Sequence, residues 1–147
     1  MKVGKEEIMG CLAAVEAWLK MDVPKLNRQW TAQVQRIATL VGTVPGVETK
    51  LFTPEENQCP TLSISWDHKA WHYTVADCAK QLLEGTPAIA VMSADNPSDV
   101  LSRRPGPKKE SKNDTLQIVS MTLRPGEEII IGQRLRQLLS QARRQGL

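Results

Sequence analysis

The chain has 147 residues, of which 41% are hydrophobic and 24% charged, with a formal net charge of +3. That is the composition of one ordinary globular domain, long enough to bury a core without disulfide or metal staples. So slight a charge gives no argument for a nucleic-acid partner, and no apolar run approaches the roughly 18 residues of a membrane span.

The first element is a helix over Glu6 to Met21, because Ile8, Leu12, Val15 and Leu19 recur on one helical face. Glu6 and Glu7 open it and Lys20 closes it, each matched to the helix dipole. Pro24 starts a second helix with the stripe Trp30, Val34, Ile37 and Val41, ended by Gly42. Val44-Pro45-Gly46-Val47 turns the chain into a loosely alternating strand ending at Phe52. Thr61 to Trp66 alternates well, with Leu62, Ile64 and Trp66 on one side, and is expected to pair antiparallel with its predecessor. Thr74 caps a third helix carrying Val75, Ala79 and Leu82, stopped by Gly85 at the C′ position. The apolar run Ala88 to Met92 reads as a buried central strand, and Thr115 to Leu123 as another. A final helix from Glu127 places Ile131, Leu135, Leu138 and Ala142 on one face.

The expected fold class is α+β, in the order α-α-β-β-α-β-β-α, with helices against one small, mainly antiparallel sheet. The organisation reads as a helical hinge region over 1–43, an α+β sandwich over 44–92 and 115–147, and a basic loop over 93–114. Pro97, Pro105 and Pro107, with Arg103, Arg104, Lys108, Lys109 and Lys112, give that loop a composition that favours mobility. The two opening helices carry more apolar surface than so small a sheet needs, so an exposed patch is expected.

Three segments carry a resemblance, and they occur in the same order as in the family. Met1-Lys2-Val3-Gly4-Lys5-Glu6-Glu7-Ile8 and the residues to Glu16 resemble the hinge into the last domain of selenocysteine-synthase-like enzymes. Trp66-Asp67, with Leu82-Leu83-Glu84-Gly85-Thr86-Pro87-Ala88-Ile89 beyond it, looks like the strand–helix–LLEGxPxI unit of that family. Leu123-Arg124-Pro125-Gly126-Glu127-Glu128, followed by Arg134-Leu135, is similar to its closing LxPGEExxIxxRL helix. The 93–114 segment is longer and more basic than the family pattern, and no family role transfers to it.

The resemblance implies the small C-terminal domain of a fold-type I pyridoxal 5′-phosphate (PLP) enzyme. Such enzymes are homo-oligomers with the active site between large and small domains. Their members act as selenium transferases on seryl-tRNA, or as lyases and related enzymes on amino acids and amino sugars. PLP chemistry needs a Schiff-base lysine, a carboxylate on the pyridinium nitrogen and a phosphate cradle. The family keeps that lysine in a Gly-rich segment of the large domain, and no lysine here has such surroundings. The cofactor is therefore expected on a large domain or split subunit outside this chain, which is catalytically incomplete alone. Lys2 and Lys5 flank Gly4 at the hinge. They read as solvated charges opening a helix, with at most a weak substrate-binding role in the intact enzyme.

Other residues lead to weaker readings. His68 and His72 with Asp67 hint at a metal, but they precede the Thr74 cap, and no HExxH, third His or Cys pair completes a coordination sphere. Cys11 and Cys78 are expected to pack as small hydrophobes, and Cys59 has no basic neighbour to activate it. With no CxxC spacing and no signal-peptide core, the expectation is reduced thiols in a soluble, cytoplasmic protein. No GxSxG, Walker or GxGxxG sequence occurs. Trp18, Trp30, Trp66 and Trp71 read as core and interdomain packing. The alternative function is a free-standing binding or regulatory module. Its weak, non-specific nucleic-acid affinity would come from the basic loop and Arg134, Arg136, Arg143 and Arg144, a patch that Glu110, Asp114, Glu127 and Glu128 dilute.

Overall fold

The computed structural model describes residues 4–55, 59–91 and 115–146. Its elements in chain order are α1 (Lys5–Leu19), α2 (Val23–Val41), β1 (Glu48–Phe52), β2 (Thr61–Ser65), α3 (Val75–Leu83), β3 (Thr115–Val119), a short 3-10 turn (Ser120–Thr122) and α4 (Glu127–Gly146). The fold class is α+β, as the sequence pattern implies. The basic loop lies outside the described residues.

Helices α2 and α3 start where a side chain can satisfy free backbone N–H groups. Asp22 accepts from the Lys25 N–H at 2.9 Å ahead of α2. Thr74 accepts from the Asp77 N–H at 3.1 Å, while the Asp77 carboxylate accepts from the Thr74 N–H at 3.0 Å. This reciprocal box sets the start of α3, and Thr74→Ala is expected to cost about 1 kcal/mol, read as a lower unfolding midpoint.

The three strands form one antiparallel sheet in the order β1-β2-β3. Its register sets Leu62 opposite Ile118 and Ile64 opposite Leu116. These four apolar side chains occupy one face and are buried. With a period of two, the alternate residues Ser63 and Gln117 fall on the other face, where they are half-buried. Helices α2, α3 and α4 close the first face with Val34, Ile37, Cys78, Leu82, Leu135 and Leu139 in the same core cluster. The α4 stripe Ile131, Leu135, Leu138 and Ala142 is buried as its spacing requires.

The structure departs from the expected order at Ala88–Met92. Residues 88–91 form no strand, and Met92 lies outside the described residues. Ile89 and Val91 are buried while Ala88 and Ala90 are exposed, so the chain runs extended against the core. The Ile89 N–H bonds the Leu82 carbonyl of α3 at 2.9 Å rather than a strand, and Pro87 has no N–H to give a ladder. Apolar composition predicted burial correctly but not the hydrogen-bond partner. Likewise, the strand expected to Leu123 stops at Val119, where the 3-10 turn takes over.

Two turn glycines differ from each other. Gly46 has φ +87°, the left-handed conformation that its Pro45-Gly46 turn demands. Gly85 follows the C-cap Glu84 and so takes the C′ position read from sequence, without the positive φ of Gly46. A Cβ there would stand 3.3 Å from the Arg134 guanidinium and equally near two α3 carbonyls, so its place is set by close approach.

Candidate functional site

The most unusual surface belongs to α1. Among the described residues none of this helix is buried. Ile8 is 56% exposed, Trp18 66% and Leu19 78%, and Met9, Leu12 and Val15 are exposed with them. At 100° per residue, Ile8, Leu12, Val15 and Leu19 share one side, while Met9, Cys11 and Trp18 extend the apolar surface around the cylinder. A helix apolar over most of its circumference is normally enclosed by protein. Single exposed apolar residues need no explanation, but a contiguous run of this kind marks an interaction surface.

The second feature lies where α2 crosses α4. Gly132 brings the helices together, since a Cβ there would meet Leu40 Cδ1 at 2.6 Å. Beside this contact Glu128 is 2% exposed. Its Oε1 accepts from Arg36 Nη1 at 2.8 Å and its Oε2 from the Gly126 N–H at 2.7 Å. Burial pushes this carboxyl upward, but hydrogen bonds from its own backbone N–H, from Arg36 and from Gly126 outweigh it and leave the pKa below the ordinary value. The pair locks the start of α4 to the middle of α2. Next to it lies a shallow groove of about 540 Å³ lined by Ala32, Gln35, Arg36, Thr39, Leu40 and Ile129. A second, smaller cavity of about 320 Å³ runs between the Pro87–Ala90 segment and the start of α4, with Leu123 and Ile130 in its wall. The carboxylate at its edge, Glu127, accepts from the Arg124 N–H at 2.9 Å and so serves as a cap.

A polar cluster bridges α3 to α4. Tyr73 is buried and donates its hydroxyl to Gln81 Oε1 at 3.0 Å. Burial, reinforced by Cys78 and Asp77 against an opposing effect of Arg134, holds its phenol well above the usual range. The Cys78 thiol is pushed up to about 11, chiefly by burial. Asp77 is held below its usual value, first by the Thr74 hydroxyl and then by the Thr74 N–H. Arg134 gives Nη1 to Gln137 at 3.1 Å, while its Nε is buried with no hydrogen-bond partner among the described residues. At neutral pH these shifts keep Tyr73 and Cys78 protonated and Asp77 ionised, the states that pack and cap rather than attack.

The residues singled out from sequence are scattered. Lys5 is the first residue of α1 and exposed, and Lys2 lies outside the described residues. His68 and His72 do lie in the β2–α3 connection. His68 Nδ1 is 3.4 Å from the Tyr73 carbonyl, its ring is 4.9 Å from Trp66, and His72 adopts φ +48°. Among the described residues no group of His, Cys, Asp and Glu converges for a metal ion. Cys78 packs in the core as expected, whereas Cys11 is exposed on α1, a helix with no buried residue among those described. Cys59 is buried 3.6 Å from the Ser120 hydroxyl. Trp66 and Trp71 are core residues, and Trp18 is exposed. Arg144 donates to the Ser140 carbonyl at 3.2 Å and Arg134 turns into the fold, so α4 does not present its arginines as one free stripe.

The described lysines, Lys5, Lys20, Lys25, Lys50, Lys69 and Lys80, are all exposed. A Schiff-base lysine works from a desolvated pocket, so these residues do not fit covalent attachment of PLP. Glu128 and Arg36 were missed as a pair by sequence reasoning. Glu128 reads locally as an acid in a first helical turn, and nothing local points to a partner 92 positions away.

Fold and surface together define a small α+β domain, three helices over one face of a three-stranded antiparallel sheet, with a fourth apolar helix standing uncovered. No described helix is long and apolar enough to cross a membrane. No family model and no curated protein matches the sequence. Among solved structures, D-glucosaminate-6-phosphate ammonia-lyase has the same fold over 97% of this chain and 34% of its own, with a TM-score of 0.64 and 20% identity. The chain thus spans about a third of the length of that protein, and at this identity the likeness is one of fold.

Proposed function

We propose that this chain is the small C-terminal domain of a PLP-dependent enzyme of the selenocysteine-synthase-like group, a lyase or transferase acting on an amino acid or amino sugar. The observation that carries the reading is α1, whose apolar side chains are all exposed among the described residues. A hinge helix packed between two lobes needs such a surface. The hinge, LLEG and PGEE motifs favour the same assignment, and so does the shared fold with an ammonia-lyase three times as long. In this reading the cofactor sits on a separate large domain, PLP supplies the electron sink, and this chain closes over the substrate. Lys2 and Lys5 stand at the joint, where a weak contact to bound substrate is their proposed role.

The test is spectroscopic. Purified chain mixed with PLP is expected to show no specific internal-aldimine absorbance. Co-expression with a PLP domain encoded immediately upstream of Met1 is expected to give a complex that carries the band. A stoichiometric band on the isolated chain, abolished by one lysine substitution, overturns the reading, and so does unrelated upstream sequence.

A further inference from the structure

We infer that the cavity between the Pro87–Ala90 segment and the start of α4 binds a small molecule with a primary ammonium on a compact apolar body. No residue of α1 lines this cavity, and the inference does not depend on the PLP assignment.

The walls are apolar, and the polar side chains among them offer acceptors. Pro87, Ile89, Leu123, Ile130 and Ile131 surround a space of about 320 Å³. That is the lower end of the volumes that hold small ligands, and it suits a single ring or a short branched chain. Thr122 spends its hydroxyl proton on the Val119 carbonyl at 3.3 Å and keeps lone pairs for a ligand. Ile89 gives its N–H to Leu82 of α3. The carbonyls of Ala88 and Ala90, two further lining residues, receive no backbone N–H among the described residues.

Glu127 sets the sign of the charge. Its Oε2 accepts from the Arg124 N–H at 2.9 Å, and among the described residues no donor engages Oε1. The neighbouring Glu128 has both oxygens engaged, by Arg36 and by the Gly126 N–H, whereas no described lysine or arginine pairs with Glu127. None of the described lining residues is basic. A helix start favours negative charge, but Glu127 and Glu128 already supply it here, so an incoming anion would meet a carboxylate. An ammonium brings three donors and no acceptor, which matches a rim of carboxylate, hydroxyl and carbonyl oxygens. The apolar body then releases water from the Leu123, Ile130 and Ile131 walls.

The experiment is a methyl-resolved NMR titration of the full chain with three molecules that share one ring: benzylammonium, benzyl alcohol and benzoate. Benzylammonium is expected to saturate shifts of the Ala88, Leu123 and Ile130 methyl signals with a Kd on the order of 1 mM. It should bind about fivefold more tightly than benzyl alcohol, the size of a partly exposed ion pair, and benzoate should bind more weakly than the alcohol. Glu127→Gln keeps an acceptor for the Arg124 N–H. It should bring benzylammonium to the affinity of the alcohol and leave the alcohol unchanged, which shows the cavity intact. Ala88→Leu, at an exposed position on the wall, narrows the space and should weaken the ammonium and the alcohol alike, with the unfolding midpoint unchanged. The absence of saturable shifts at those methyls overturns the inference. Equal affinities for the ammonium and the alcohol overturn it too, as does a preference that survives Glu127→Gln or shifts confined to the Ile8, Leu12 and Val15 methyls of α1.

Discussion

Replacing Glu128 with alanine is expected to lower the unfolding free energy by about 3 kcal/mol. The carboxylate is 2% exposed, and its removal leaves the Gly126 N–H without its acceptor at 2.7 Å and opens a void at the α2–α4 crossing. Arg36→Ala should cost less, about 1 kcal/mol, because that side chain is 64% exposed and the surviving carboxylate keeps its backbone donors. The asymmetry separates a carboxylate held mainly by backbone N–H groups from one held mainly by the ion pair. Equal losses from the two variants would show that the ion pair dominates. A pH profile gives a second reading. The folded state holds Glu128 below its usual value, so its contribution is complete above the ordinary carboxylate range and is lost as pH falls through the lowered folded value. Glu128→Gln should remove that share of the acid sensitivity, and chemical unfolding across the acid range measures it.

What the sequence made legible follows from how local each signal is. The stripe of α4, the alternation of β2 and the Thr74 cap are decided within a few residues, and the structure places them as read. The Pro45-Gly46 turn is legible for the same reason: only glycine adopts φ +87° freely, and proline presets the position before it. The Ala88–Val91 segment failed because an apolar run states that a segment is buried, not which carbonyl will accept its N–H groups. Gly85 is legible as the C′ residue after Glu84, but its close approach to another helix is not. Its neighbour is Arg134, which comes from a helix beginning some forty positions later, and no local pattern carries that approach.

The site was legible in a different sense. The sequence indicated that the opening helices hold too much apolar surface, but not how it divides between them. In the structure α2 spends its stripe on the core through Val34, Ile37 and Val41, while α1 spends none. The uneven division turns a general excess into a specific surface. Both helices carry an apolar stripe, on a largely apolar cylinder in α1 and an otherwise polar one in α2, and the stripe alone does not say which of them its own domain covers.

That division predicts opposite outcomes for one chemical change made at two places. Leu135→Ala, on α4, is expected to cost about 3 kcal/mol, because the side chain is completely buried among residues of α2, α3 and the sheet and its loss leaves a cavity that the surroundings fill only in part. Leu12→Ala, on α1, removes the same atoms from a half-exposed site and should change the unfolding free energy of the monomeric domain by no more than about 0.5 kcal/mol. Alanine is the better helix former, so the small change at Leu12 can even be stabilising. The comparison belongs at protein concentrations low enough to exclude self-association, since any partner that covers α1 adds its binding energy to the apparent stability. If Leu12→Ala then proves as costly as Leu135→Ala, α1 is packed into its own domain, and its surface is not available to a larger lobe. If the cost at Leu12 emerges only as concentration rises, the apolar face of α1 is doing its work between molecules.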